Sequence, residues 1–540
     1  MFSKRFLHFP SQSLRVGRND TGKIAKYMGV FLLFFSIFLF GQLSMKGLMS
    51  PDDPYYHAKH SKLVAEANTF TIVKPWVAFH FFSYSPVDPY VLDHFITALF
   101  IKIFGIINGL KIFTAILAAS IFLIFYFILK KWSIPQPFLW TFLFFASSSL
   151  FLFRVMLERP FVGAIAMLML SLYLLVEKKY YALAVLCMID ILFYNLAVFI
   201  LFPTIVLVIV ECISEKQCNL KSLIAVLGGL TLGLLLHPQT MNYILIIYTH
   251  FFKVFYLKLT GVTLLSGVEI NVHDVNFFFL NNMLSCLAYI VGLALFLHLY
   301  SEKYRSKILV FLCAISVPWF IICIFIPRGV EYFTPLAWIF CACTFAVAKK
   351  QNFFDQVRMQ LSSCRYALPI LKYSIALLVL GIIGFNLYVI SKTILDRNKI
   401  DNVTPYQLAN EYLIQNTSKN SIVFYPIWSM FPRMFYFNTH NRFMAAFDPI
   451  YAYSFSPEYY WTMANIGSSG TYCDHTPPCT ELSARKSLDA LPYVFKYIFE
   501  TNTIVIPQNQ TKQLYTVLEN QKKYFEQVYQ NSELTIYTVR

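Results

Sequence analysis

Residues 27–60 read YMGVFLLFFSIFLFGQLSMKGLMSPDDPYYHAKH, an apolar run that gives way at once to carboxylates, tyrosines and histidines. A helix rises about 1.5 Å per residue, so Tyr27–Met49 is long enough to cross about 30 Å of hydrocarbon. The run follows Lys4, Arg5, Arg15, Arg18, Lys23 and Lys26, and that basic flank predicts a cytoplasmic N-terminus. No small-residue cleavage site follows it, so it reads as an anchor and not as a removable signal peptide. The rest of the 540-residue chain has the same character, with 57% hydrophobic and only 13% charged residues. A soluble multidomain enzyme, at roughly 25% charged residues, is excluded. A disordered or collagenous chain is excluded too, because aromatics reach 18% and Gly numbers only 19. The formal charge of +16 reads as loop topology in such a chain, and no nucleic-acid partner is expected.

Ten further apolar runs lie at about 110–130, 136–153 and 160–176, two short ones within 180–212, and at 221–237, 277–299, 307–326, 331–348 and 368–391. The expected fold is a polytopic α-helical membrane protein of about eleven spans. Its junctions alternate as the positive-inside rule requires. Lys130 and Lys131, Lys178 and Lys179, Lys216 and Lys221, Lys303, Arg305 and Lys307, and Lys349 to Lys372 mark the cytoplasmic side. This registers residues 1–26 as a cytoplasmic basic segment, 27–394 as the membrane domain with an external loop at 50–109, and 395–540 as an external soluble domain. The stretch 92–108 reads as a helix lying along the interface. Beyond residue 395, a helix near 404–416, the strand-like SIVFYP at 421–426 and TIVI at 503–506, a helix near 509–520 and a terminal LTIYTV predict a small α/β layer.

Cysteine usage adds little. Nine of the 11 cysteines fall in spans or cytoplasmic junctions and read as small buried hydrophobes, whereas Cys473 and Cys479 bracket DHTPP and are spaced to close a short external disulfide. Sequons at Asn402, Asn416 and Asn509 also fall outside.

The external ends of the spans carry the chemistry. Asp52 and Asp53 open the first loop ahead of Pro54, which suits the first turn of a helix; the bland reading is a capped surface helix. Against it stand two carboxylates, two tyrosines, two histidines and a lysine within nine residues at the bilayer surface. Arg154, Glu158 and Arg159 lie at the outer end of the third span, His237 ends the seventh, Glu269 follows, and Arg328, Glu331 and Tyr332 sit in IPRGVEYF. Guanidinium groups at that level suit a lipid phosphate, because they offer a bidentate fork of charge-assisted hydrogen bonds. Carboxylates suit activation of a hydroxyl or binding of a divalent cation. Only Asp190 stands out inside the membrane, fewer charges than an ion pathway needs.

The segment DDPYYHAK (52–59) resembles the first-loop acidic motif of the GT-C superfamily, the membrane glycosyltransferases that use polyprenyl-phosphate-linked sugars. It is similar in particular to the FDPYFNYR-type segment of oligosaccharyltransferase catalytic subunits. On that motif Asp53 takes the place of the metal- and acceptor-site Asp and Tyr55 that of the Tyr, while His57 replaces an Asn and Lys59 an Arg. The segments ERP, GVE and RGVEYF, and FYFNTHNRFMAAFDPIYAYSF at 435–455, look similar to those of bacterial GT-C proteins. The WWDYG motif of true oligosaccharyltransferases is absent from 396–540, which favours a monosaccharide transferase or a divergent oligosaccharide one.

The resemblance implies a glycosyltransferase moving a sugar from a polyprenyl-phosphate donor to a glycan, lipid or protein acceptor on the periplasmic face of a bacterial inner membrane. In it Asp53 or Asp52 takes the acceptor proton and Arg154, Arg159 or Arg328 neutralises the phosphate. His57, Lys59, Glu158, Glu269, Glu331 and Tyr332 line the substrates, and Asp53 with His57 are the candidate ligands of a divalent metal, Mg or Mn. A transporter or flippase of a lipid-linked or anionic solute, or a non-enzymatic scaffold, are the competing readings.

Overall fold

The computed structural model describes residues 20–540 except 74–75, 217, 266, 268, 270–273, 302–305, 362–366, 401, 445 and 472–486. Cys473 and Cys479 lie outside the described residues. Among those described, seven helices are long and apolar enough to cross a membrane: Ile24–Leu43, Ile106–Lys131, Asn195–Glu215, Met283–Ser301, Lys307–Phe325, Pro327–Lys350 and Lys372–Lys399. The protein is an integral membrane protein with a small C-terminal sheet domain. Three shorter apolar helices, Phe161–Val176, Tyr180–Phe193 and Lys221–Leu236, join them.

The run at 136–153 departs from the single straight span expected. It forms two helices, Pro137–Phe145 and Ser149–Val155, bent by 87° at the break. Polar side chains satisfy the broken backbone: Ser148 Oγ accepts from Phe151 N at 2.9 Å and donates to Asn282 Oδ1 at 2.5 Å. Counted as one span, the bent pair brings the apolar segments to eleven. The stretch 180–212 divides at Tyr194, whose backbone is extended (φ −151, ψ 127); Tyr180–Phe193 is short as expected, whereas Asn195–Glu215 is long enough to cross. Cys212 and Cys218 also depart from expectation. Lys216 turns the chain in the left-handed conformation at the end of Leu201–Glu215, which brings the two Cα atoms to 4.5 Å, and the thiols form a disulfide.

The chain folds as two compact units. The first comprises residues 1–46, 111–235 and 268–398, and its core is aromatic, with Phe34 stacked on Phe122 at 4.9 Å and Phe122 against Phe144 at 4.9 Å. In the second, residues 47–110 and 236–267 are built together with 399–540. Its sheet has five strands: β1 (Ile422–Phe424), β2 (Arg442–Phe443), β3 (Thr503–Pro507), β4 (Phe525–Gln530) and β5 (Leu534–Val539). The order is β2-β1-β3-β5-β4, with β2, β1 and β3 parallel and β5 antiparallel to both β3 and β4. The helix Thr404–Asn416 and the helix Lys512–Asn520 fall where the sequence placed them. The first loop joins this sheet: Ala78 N donates to Phe443 O and Phe443 N to Trp76 O, each at 3.0 Å. Ala78 therefore sits in one apolar cluster with Ile422, Phe424, Ile504, Leu514 and Tyr537.

Candidate active site

Two clusters of polar side chains stand out, one in each unit. In the second unit the first loop forms the helix Asp53–Ala67, started by Pro54 in its first turn and ended by Asn68 in the left-handed conformation. Asp52 occupies the N-cap position without a side-chain capping hydrogen bond, so capping does not explain it. Asp52 and Asp53 are half-buried, while Tyr55, Tyr56, His57 and His60 are buried.

Against this helix packs a second one, Val91–Phe104, preceded by Asp88. Here the buried groups form a chain. The Asp88 carboxylate accepts from His94 Nδ1–H at 2.8 Å, and His94 Nε2 lies 2.9 Å from His57 Nδ1. One ring nitrogen of this His94–His57 pair donates and the other accepts, so the two imidazoles share a proton position. A parallel branch runs from Tyr56 OH to His60 Nδ1 (3.0 Å) and from His60 Nε2–H to Ile72 O (2.8 Å). His237 adds a bond from Nε2 to the backbone oxygen of Asp88 at 3.0 Å.

Burial works against ionising Asp88, but His94 and His60 outweigh it and hold the carboxyl well below its usual range. Burial pushes Asp93 up to about 7, partly offset by His94 and reinforced by Asp88. Burial likewise lowers His60 to about 4. Ligand atoms of His57, Asp93 and His94, and of His60, Asp88 and His94, lie within 4.8 Å of one another. Asp53 and His57, four residues apart, share one helix face. Their carboxylate and imidazole are donors that suit a divalent ion of the Mn class better than Mg, which prefers oxygen. Lys59 lies apart from this chain, and its pKa is lowered by burial and by Lys62.

The first unit gathers most of the other expected residues. Arg154, only 3% exposed, donates from Nε to Glu331 Oε1 at 2.8 Å and from Nη1 to Glu269 Oε1 at 2.8 Å. Arg159 Nη1 reaches the same Glu269 oxygen at 2.6 Å. Arg328 lies farther out, 4.0 Å from Glu269 and 3.9 Å from Glu331, and donates to Tyr194 OH at 2.8 Å. Burial opposes the Glu269 charge, yet Arg159, Arg154 and Arg328 hold its carboxyl below the ordinary glutamate range. Three guanidinium groups thus face the carboxylates of Glu269 and Glu331. Glu158 is fully buried in the turn between Arg154 and Arg159, and Tyr332 stacks on Trp319 at 4.2 Å. Tyr332, Glu331, Tyr194 and Asp190 line one small cavity.

The sequence reading missed Asp88, His94 and Tyr194. A signal for the first two was present: Asp-Pro-Tyr occurs twice, in DPYYHAKH and in DPYVLDH, each time followed by a histidine.

The comparisons with solved structures match this architecture over nearly its whole length. ArnT from Cupriavidus metallidurans, bound to undecaprenyl phosphate, aligns over 96% of this chain and 98% of its own at TM-score 0.54 and 11% identity. The chain has the GT-C fold. The archaeal oligosaccharyltransferase AglB from Archaeoglobus fulgidus, in complex with an inhibitory peptide and a dolichol-phosphate, aligns over 96% of this chain and 74% of its own, at TM-score 0.59 and 12% identity. A further GT-C structure, the mycobacterial arabinofuranosyltransferase AftD, aligns over 94% of this chain but 40% of its own, at TM-score 0.50 and 10% identity. No protein-family profile matches the sequence, and no curated protein sequence matches it.

Proposed function

We propose that the protein is a glycosyltransferase that moves a sugar from a polyprenyl-phosphate-linked donor to a hydroxyl or amide acceptor, with inversion at the anomeric carbon. The observation that carries this reading is the GT-C fold shared along 96% of the chain with a protein bound to undecaprenyl phosphate. The basic junctions support an orientation with the N-terminus in the cytoplasm and both polar clusters on the periplasmic face of a bacterial inner membrane. The acceptor is a glycan, a lipid or a protein.

In this mechanism the donor phosphate meets Arg328 and Arg159, whose side chains are 28% and 16% exposed against 3% for Arg154, and they stabilise the charge that grows on it as the glycosidic bond breaks. Arg154, with Glu331 and Glu269, holds the cluster in shape. Asp53 takes the acceptor proton, a role that contributes about 10² to 10⁴-fold in rate, and Asp52 beside it keeps the local field negative. His57, Lys59, Glu158 and Tyr332 line the substrates. Asp53 and His57 would hold a divalent ion, which when bound supplies positive charge beside the carboxylates of the first loop.

The test is Asp53→Asn in the purified protein with a polyprenyl-phosphate sugar. Transfer should fall at least a hundredfold while the folded yield stays at the parent level; undiminished transfer overturns the assignment. Mass spectrometry of lipid-linked sugars in cells lacking the protein names the donor from what accumulates and the acceptor from what is lost.

A further inference from the structure

Residues 240–259, TMNYILIIYTHFFKVFYLKL, form a continuous helical segment that the sequence reading left in an external loop: an α-helix Thr240–Tyr248, a π turn Thr249–Lys253 and an α-helix Val254–Leu259. It belongs to the second unit and is bonded into it along one side. Asn242 Nδ2 donates to Pro86 O at 2.9 Å, Tyr451 OH pairs with His250 Nε2 at 2.9 Å, and Tyr243 stacks on His237 at 4.1 Å. Tyr243, Ile246, Thr249 and Leu257 are buried on this side.

The opposite side is apolar and exposed. Met241, Ile244, Leu245, Tyr248, Phe252, Phe255, Tyr256 and Leu259 are 42–72% exposed and recur every three or four residues, and Lys258 is the one charged residue exposed among them. An exposed stripe of eight large apolar side chains on one helical face marks a surface made for an apolar contact. The segment starts four residues after Leu236, the end of the apolar helix Lys221–Leu236, so the chain enters it directly from the membrane. Its outer face has the composition of an interfacial helix, aromatic and aliphatic with Lys258 at one end. The segment is not among the described helices long and apolar enough to cross a membrane, and Asn242 and His250 bond it to the second unit.

We infer that Thr240–Leu259 is a membrane-docking element whose exposed face lies in the headgroup and upper acyl region of the leaflet facing the second unit. Its partner is bilayer phospholipid. The same segment is bonded to Pro86, and His237 just before it is bonded to Asp88, so lipid contact is coupled to the second Asp-Pro-Tyr loop and through His94 to His57. The docking itself does not rest on the proposed sugar transfer; only this last consequence does.

The test replaces Phe252 or Tyr256 with p-benzoylphenylalanine in the full-length protein, reconstituted in nanodiscs of phosphatidylcholine and phosphatidylglycerol and irradiated. Both are exposed side chains, so folding is preserved; Thr516, exposed on Lys512–Asn520, is the control. Phospholipid adducts should form at 252 and 256, at least tenfold above the control, with attachment in the upper half of the acyl chain. Cross-links to a second copy of the chain, absence of lipid adducts, or attachment at the acyl chain end would each overturn the inference, the last by showing a span. None of these outcomes depends on sugar transfer, so failure here is distinguishable from failure of the Asp53→Asn test.

Discussion

At the residue scale the three arginines are not equivalent, although the sequence ranks them together. Arg154 is enclosed and bonds Glu331, which is 1% exposed; removing it takes away that buried charge's 2.8 Å partner and leaves Arg328 at 3.9 Å, a loss of the kind that costs about 3–5 kcal/mol. Arg154→Ala should therefore lower the Tm and folded yield in detergent. Arg328 has 28% of its side chain exposed and holds both glutamates at 3.9–4.0 Å. Arg328→Ala should keep the parent Tm and raise the donor KM by about tenfold or more, the worth of a charge-assisted hydrogen bond. Equal losses of stability in both variants would dispose of this division. His80 makes a pH prediction. Its Nε2–H donates to Ala446 O and its Nδ1 accepts from Phe82 N, and burial lowers its pKa from 6.5 to about 3. The unfolded chain takes up the proton first, so this contribution is complete above pH 6.5 and is lost as pH falls toward 3. His80→Gln keeps a donor and an acceptor without titrating, and its Tm should fall less than the parent's between pH 7 and pH 5. Asp53 was legible in the sequence because it follows a span at once. Asp88 showed only as the start of a second Asp-Pro-Tyr, because its bonds to His94 and its approach to His60 arise from folding.

At the scale of elements, spans were legible where charge brackets an apolar run; the break within 180–212 was expected, but the full length of Asn195–Glu215 was not. The bend in 136–153 was not legible. Apolar composition does not record a turn whose freed backbone groups are satisfied by Ser148, and that serine in turn by Asn282, 134 residues away. Helix contacts are equally silent in hydropathy, yet small residues mark one of them. Gly229 and Gly233 stand one turn apart on Lys221–Leu236, where a Cβ would meet Ala184 O at 2.2 Å and Ile191 Cγ2 at 2.3 Å. Close backbone approach at such a small-xxx-small pair replaces the hydrophobic drive that lipid cannot supply. Gly229→Ala must push the helix off Tyr180–Phe193, because the obstacle is backbone. A loss of about 1–3 kcal/mol, typical of overpacking, should appear as a lower Tm in detergent, whereas Gly228→Ala, with open space around it, should leave the Tm unchanged.

At the scale of the whole molecule, the sequence divided the chain by composition, membrane against polar tail, whereas compactness groups it by contact. The polar residues after 399 share a core with residues 47–110 and 236–267. A reading along the chain finds the strands at 421–426 and 503–506 from their β-branched runs. It cannot see that the first loop adds its backbone to β2, because that pairing spans more than 360 residues. The pairing has a measurable consequence. Trp76 and Ala78 exchange hydrogen bonds with Phe443, His80 donates to Ala446, and Tyr55 packs edge-on to Tyr436 at 5.2 Å. Deleting residues 399–540 removes every one of these partners and bares Tyr55, Tyr56 and Ala78, which are buried in the intact unit. The truncated chain should still insert its spans, since Lys and Arg at the junctions are untouched. Its first loop should lose its fixed structure, so limited proteolysis should cut within 47–110 at sites resistant in the full chain, and sugar transfer should be lost with it. A first loop as protease-resistant in the truncated chain as in the parent would mean that 47–110 folds without the sheet.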